Sequence, residues 1–205
     1  VTVRVGVLAL QGAVDLHTRV LDELGATVVE VRTPDQLDDA DAIVVPGGES
    51  TTMSMLAERF GLLDPLRDFV ASGRPALGTC AGAILLGSEI LDGRPDQHCL
   101  GALDVSVRRN GFGRQVDSFE ADVAIPALAD AGLGDEPFHV VCIRAPVIER
   151  VGDDVEVLAS VEGRPALVRQ GAIMVSIFHP ELAGDPRLHQ LFLGGSGDGR
   201  AGAGV

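Results

Sequence analysis

A lone cysteine sits among small residues in RPALGTCAGAILL at Arg74–Leu86, and FHPE at Phe178–Glu181 sets a histidine two residues from a carboxylate. Gly78-Thr79-Cys80-Ala81-Gly82 is a G-x-C-x-G pattern, the sulfur counterpart of the nucleophile elbow, where a sharp strand-to-helix turn lifts the reactive atom. Glycines suit such a turn because backbone segments approach where a Cβ would clash. A cysteine at a helix N-terminus meets free N–H groups and the positive end of the dipole, and the Ala81 N–H is available to an oxyanion. Taken alone, the segment reads equally well as a core cysteine, since free Cys is among the most buried residue types.

His179 and Glu181 supply what a cysteine nucleophile needs. Residues two apart in an extended segment project to one side, so the imidazole can take a proton while the carboxylate fixes its tautomer. Zinc is the competing chemistry, but Cys80, His179 and Glu181 lack paired ligand spacing. A third segment, PGGEST at Pro46–Thr51, exposes backbone N–H groups that suit an anion, with Gly48 as a second oxyanion donor beside Ala81. It matches no dinucleotide or P-loop pattern. By itself it is also an ordinary strand-to-helix turn capped by Ser50 or Thr51.

The elements that must position these residues follow from hydrophobic patterning. Val3–Leu10 is an apolar run ended by Gln11-Gly12, as in a strand buried on both faces. Ala13–Leu24 carries Leu16, Val20 and Leu24 at helical spacing before Gly25. Strands are predicted at Thr27–Val31, Ala42–Val45 and Pro75–Gly78. Helices are predicted from Ser50 to Phe60, on to Val70, and over Ala81–Ile90. This alternation implies an α/β fold, a doubly wound, mostly parallel sheet with helices on both faces. Past Gly101 the pattern turns to strands at Leu103–Arg109, Val116–Val123, Phe138–Arg144, Val155–Ser160, Ala166–Gln170 and Ile173–Phe178. That half reads as an antiparallel extension of the sheet. One domain over residues 1–193 is expected, followed by a flexible Gly-rich tail over 194–205.

Composition narrows the function further. The formal charge of −14 argues against nucleic acid, which needs a basic face to replace counterions. Every cation is Arg, so neither a Schiff-base lysine nor a P-loop lysine is present. No run of about eighteen apolar residues exists to span a membrane, and VTVRVGVLALQG reads as a first strand, not a leader. Three irregularly spaced cysteines, Cys80, Cys99 and Cys142, point away from a disulfide framework and towards a reducing cytoplasm.

Together PGGEST, GTCAG and FHPE resemble a class I, triad-type glutamine amidotransferase. More narrowly, LALQGAV at Leu8–Val14, PGGESTTM at Pro46–Met53, RNGFGRQVDSFEA at Arg109–Ala121 and IRAP at Ile143–Pro146 resemble the glutaminase subunit of pyridoxal 5′-phosphate synthase. The resemblance runs from about Val3 to Leu193. It implies hydrolysis of L-glutamine to glutamate and ammonia without metal or cofactor, the ammonia passing to a separate barrel-shaped synthase subunit. Cys80 would form the glutamyl thioester, His179 act as base and acid, and Glu181 orient it. Gly47, Gly48 and Glu49 would form the glutamine-contacting loop, with Arg109, Ile143 and Arg144 as the remaining substrate positions. An Arg suits the substrate carboxylate because it offers two aligned donors. Gln11 falls in the region implied to contact the synthase subunit, and docking is implied to activate a weak free glutaminase. A solvated strand-end glutamine is the plainer reading.

Departures from that pattern are small: Gly111 in place of a common Ser, a lengthened approach at Asp96–Cys99, and Cys142 at a bulkier apolar position. Cys99, Cys142, His98 and His139 read as structural, and His17 as a surface residue or part of the partner face. Two alternatives stay open, a glutaminase serving another acceptor synthase and a non-catalytic regulatory subunit of the same fold.

Overall fold

A computed structural model describes residues 2–109 and 118–197. The first half alternates as the patterning requires: β1 (Arg4–Leu8), α1 (Val14–Glu23), β2 (Thr27–Val31), α2 (Pro34–Asp38), β3 (Ala42–Val45), α3 (Ser50–Arg59), α4 (Leu63–Ala71), β4 (Ala76–Thr79) and α5 (Ala81–Leu86). The second half is richer in strands: β5 (Gly87–Ile90), β6 (Leu103–Arg108), β7 (Ser118–Val123), α6 (Pro126–Asp130), β8 (Phe138–Ile143), β9 (Val147–Val151), β10 (Glu156–Val161), β11 (Arg164–Gln170), β12 (Ile173–Ser176) and α7 (Arg187–Gly197).

The main sheet has seven strands in the order β10-β11-β12-β4-β3-β1-β2. From β12 to β2 neighbours run parallel, while β10, β11 and β12 pair antiparallel. Every residue of β3, β4 and β12 is buried. Because alternate residues of a strand face opposite sides, complete burial means both faces of the sheet centre are covered. The expected mostly parallel α/β architecture is thus present. Its aliphatic centre includes Val5, Val7, Ile43, Val44 and Leu77, with Phe69, Phe138 and Phe178 as the largest buried rings.

The antiparallel extension is smaller than its sequence suggests. Only β10–β12 extend the main sheet; β5-β6-β9 and β7-β8 form separate sheets of three and two strands. The helix expected over Ala81–Ile90 stops at Leu86, because Gly87 turns to extended backbone and β5 pairs in parallel with β6. Strand β9 was not expected, because VIERV sets two charged residues after two apolar ones and lacks the alternation that marks a half-buried strand. Helix α1 is rotated from its expected face: Leu16, Val20 and Leu24 are only half-buried, whereas His17 and Leu21 are buried.

Helix α7 continues to Gly197, past the expected domain end at Leu193, anchored by buried Leu188 and Phe192. The remaining expected tail, residues 198–205, lies outside the described residues, as do residues 110–117 with most of RNGFGRQ and the start of the strand expected at Val116.

Candidate functional site

Strand β4 lies between β3 and β12, and the three chemistry-bearing segments leave the C-terminal ends of these neighbours. Register aligns them: Val45 pairs with Gly78 and Ser176 with Thr79, so PGGE, GTCAG and FHPE emerge at one level. Open α/β sheets bind ligands at such carboxyl ends. Cys80 follows at once, with φ 50° and ψ −103°, and its N–H donates to Ser176 O at 2.8 Å. A non-glycine residue at positive φ costs about 1–3 kcal/mol, a strain retained where surroundings enforce it. Here Gly78 and Gly82 enforce it: a Cβ on Gly78 would come within 2.8 Å of the Gly82 carbonyl, and one on Gly82 would overlap Val45 O. The residue is a strained elbow, buried but not sealed, at 8% exposure.

His179 is fixed from both sides. Its N–H donates to Val141 O of β8 at 2.9 Å, and its Nδ1 lies 2.7 Å from Glu181 Oε1, in the single 3-10 turn Pro180–Leu182. Against an ionised carboxylate, Nδ1 carries the proton, which leaves Nε2 for Cys80. Burial opposes charge on this ring, but its hydrogen bonds to Cys80 and Glu181 outweigh burial and push the imidazole up to about 10. Burial likewise opposes charge on Glu181, and the bond from His179 with the nearby imidazoles overrides it, holding the carboxyl below its ordinary range.

The glycine loop lies over this pair. A Cβ on Gly47 would overlap His179 Cε1 and stand 3.4 Å from Cys80 Cβ. Gln11 holds the loop from the other side, its Nε2 donating to Glu49 O at 3.1 Å. Ala13 N donates to Gly47 O at 3.0 Å, and Gly12, at φ +99°, has no room for a Cβ beside that same oxygen. The cap of α3 differs from expectation. Glu49 is the N-cap, accepting from Thr51 N at 3.1 Å and Thr52 N at 2.7 Å, with Ser50 and Thr51 already inside the helix. Burial opposes its charge, but the hydrogen bonds from Thr52 and Thr51 together outweigh it and bring the carboxyl down to about 2.

A cavity of about 300 Å³ opens beside the sulfur, lined by Gly48, Glu49, Ser50, Cys80, Arg109, Ile143, Arg144 and His179. Ile143 O is 4.0 Å from Cys80 Sγ, and Arg144 is another non-glycine residue at positive φ, 43°. Arg109 donates to Glu49 Oε1 at 3.1 Å and to Gln97 Oε1 at 3.2 Å, which presents a cation and an anion side by side in one wall. Ala81 opens α5 directly behind Cys80 and is buried. Eight expected site residues therefore meet here: Gly48, Glu49, Cys80, Arg109, Ile143 and Arg144 with His179, backed by Glu181. Gly47 and Gln11 brace the loop.

Sequence reasoning missed a second tier. Gln97, in the lengthened DQHC approach, holds both Arg109 and Ser50, with Nε2 to Ser50 Oγ at 3.1 Å. His17 is no surface residue: it is 0% exposed, with Nε2 3.3 Å from Glu181 Oε2. His139 lies instead half-buried on the outer side of β8, paired with Asp122 and Glu120. Spacing in sequence carries no signal for His17, whose partners come from distant elements.

The same architecture recurs in solved proteins. A chain of the PurLQS structure from Thermotoga maritima superposes with a TM-score of 0.67 at 19% identity, over 95% of this chain and 99% of that one. A crystal structure described as a glutamine amidotransferase superposes with a TM-score of 0.86 at 49% identity, covering 94% of this chain and 98% of that one. The fold is thus that of the glutamine amidotransferases. Residues 7–195 match the model of the SNO glutamine amidotransferase family, and the chain belongs to that family. The protein named pyridoxal 5′-phosphate synthase subunit PdxT from Mycobacteroides abscessus is 56% identical over 189 residues, 92% of this chain and 95% of that one.

Proposed function

We propose that this protein hydrolyses L-glutamine to glutamate and ammonia, and that it feeds the ammonia to the synthase subunit of a pyridoxal 5′-phosphate synthase. The observation that carries this reading is the meeting of Cys80, His179 and the Glu49–Arg109 pair in one cavity of about 300 Å³. Support for the destination of the ammonia comes from the 56% identity to a pyridoxal 5′-phosphate synthase subunit.

The cavity suits an amino-acid zwitterion. Arg109 offers aligned N–H donors to the α-carboxylate, and Glu49, ionised at all ordinary pH, faces the α-ammonium. With the amino-acid end held there, the side-chain amide is directed at Cys80. The thiolate is the reactive form of cysteine; its proton resides on His179, and Sγ bonds to the amide carbon. Backbone N–H groups at Gly48 and Ala81 are assigned to the oxyanion. Collapse breaks the C–N bond as His179 gives its proton to the leaving nitrogen, which departs as ammonia. Water then gives a proton to His179 and attacks the glutamyl thioester, releasing glutamate and the Cys80 sulfur. Glu181 keeps its charge throughout and holds Nδ1–H.

Gln11 and the Gly12–Ala13 backbone grip the very loop that carries Gly47 and Gly48. A synthase subunit docked on that bend would reset the oxyanion loop through these bonds. The reaction belongs in a reducing compartment, the cytoplasm, consistent with three free cysteines. No helix among the described residues is long and apolar enough to cross a membrane.

The test is ammonia release from glutamine by the chain mixed with a pyridoxal 5′-phosphate synthase barrel subunit. Release that depends on the partner and vanishes in Cys80→Ala is expected. Release untouched by that substitution would overturn the triad, and turnover indifferent to the synthase would overturn the partnership.

A further inference from the structure

Behind the Glu181 carboxylate lies a row of buried polar side chains that the reaction above does not use. His17 of α1, Thr79 of β4 and His189 of α7 are all 0% exposed. His17 Nε2 stands 3.2 Å from Thr79 Oγ1 and 3.3 Å from Glu181 Oε2, and its Nδ1 lies 2.9 Å from His189 Nε2. Glu181 Oε2 itself has no well-formed hydrogen bond among the described residues. A buried carboxylate oxygen without a donor is costly, and the ring of His17 is the donor beside it.

The proton positions follow from this geometry. If Nδ1 of His17 carried the proton, the Nε2 lone pair would face an anionic oxygen. With the proton on Nε2, the well-formed bond runs to Thr79 Oγ1 and the same N–H lies beside Glu181 Oε2 at 3.3 Å, while Nδ1 accepts from His189 Nε2–H. The atom left over is then His189 Nδ1, a lone pair and not an N–H, without a partner among the described residues. Both rings are neutral in this arrangement. Burial, together with the neighbouring imidazole charge, lowers each below its ordinary value despite the pull of Glu181, His189 to about 3.

We propose that His17, held from behind by His189, is a positioning residue of this site: its Nε2–H fixes Glu181, which fixes His179 against Cys80. The groups facing His17 among the described residues are Glu181 and His179 from the 3-10 turn and the residue before it, Thr79 from β4, and His189 from α7. The proposal rests on the triad reading, so Cys80→Ala in the same assay separates the two.

The experiment is steady-state glutaminase kinetics of the full chain with the synthase subunit, from pH 5 to 10, for wild type, His17→Leu and His17→Gln. Loss of one hydrogen bond to a charged group corresponds to roughly ten- to a hundredfold, expected in kcat for His17→Leu, with KM for glutamine unchanged. The acid limb of kcat/KM should move to higher pH, because Glu181 without its donor protonates more readily. His17→Gln, whose amide can donate, should recover most of both. A folded His17→Leu with wild-type kcat and pH profile overturns the proposal, as does a glutamine variant no better than leucine. A second measurement needs no variant to fold: 15N spectra of the five histidines in the wild-type chain. One buried ring neutral and protonated on Nε2, coupled to a second neutral ring, is the expected result. A buried Nδ1–H tautomer or an imidazolium at His17 sinks the idea, and Cys80→Ala that keeps activity sinks the triad instead.

Discussion

On the interior side of Cys80, one carboxylate, Glu181, stands among three imidazoles, His179, His17 and His189, all of them buried. On the cavity side stand Glu49 and Arg109, their side chains 51% and 22% exposed. Each set holds a cation against an anion at close range, His179 with Glu181 and Arg109 with Glu49, yet they differ in what surrounds them. In the buried row, low dielectric magnifies every charge, and a missing donor has no water to replace it. In the exposed pair, solvent and salt screen the attraction, so its partners can exchange each other for a ligand. The interior side is built to stay fixed through a turnover, and the cavity side to let go and rebind.

Substitutions can break that contrast, beginning with the sulfur both sides share. Cys80→Ala should lower ammonia release by roughly ten-thousand- to a million-fold, as losing a nucleophile does in comparable hydrolases. On the interior side, Gly47→Ala pushes a methyl into His179 Cε1. Displacing a catalytic group by about an ångström costs on the order of a hundredfold, so kcat should fall by that much while the far-ultraviolet spectrum stays native. Arg109→Lys acts on the cavity side: removing the bidentate fork should raise KM for glutamine roughly tenfold. That increase should grow with added salt, whereas the kcat loss of Gly47→Ala should not.

The smaller effects concern pH and stability. His179 is raised from 6.5 to about 10, so its stabilisation is complete below pH 6.5 and is lost as pH climbs through about 10. Urea midpoints should fall over that window, and Cys80→Ala should flatten the slope by removing one cause of the shift. Glu49 shows the opposite sign, lowered from 4.5 to about 2; its contribution is present above pH 4.5 and disappears as pH drops through about 2. Glu49→Ala should therefore destabilise the neutral protein by about 1 kcal/mol through its lost cap, with the gap to wild type closing in acid. A Glu49→Ala protein as stable as wild type at neutral pH would mean that the cap contributes no net stability.

The parallel strands were legible because they are short, mostly apolar runs between turn residues; Thr27–Val31 at the edge and Ala42–Val45 in the middle have the expected bounds. The elbow at Cys80 was legible too, since glycines on both sides of a cysteine answer a local steric demand. The cap of α3 was not: Ser and Thr are the usual short caps, and only the fold shows Glu49 curling back onto Thr51 and Thr52. Helix α1 misleads for a related reason. A leucine and valine stripe looks like the buried face, but a histidine takes the interior because three other elements satisfy its ring.

From sequence alone came the alternating architecture, the three turn motifs and the chemistry of a cysteine, a histidine and a carboxylate. Those are local properties: side-chain type, periodicity over a few residues, and the backbone freedom of glycine. Tertiary structure alone decided that β3, β4 and β12 are neighbours and that Gln11 grips the glycine loop. It alone decided that His17, Thr79 and His189 close around Glu181. Such contacts join residues up to 172 positions apart, and their strength depends on the exclusion of water, which no short stretch of chain can bring about by itself.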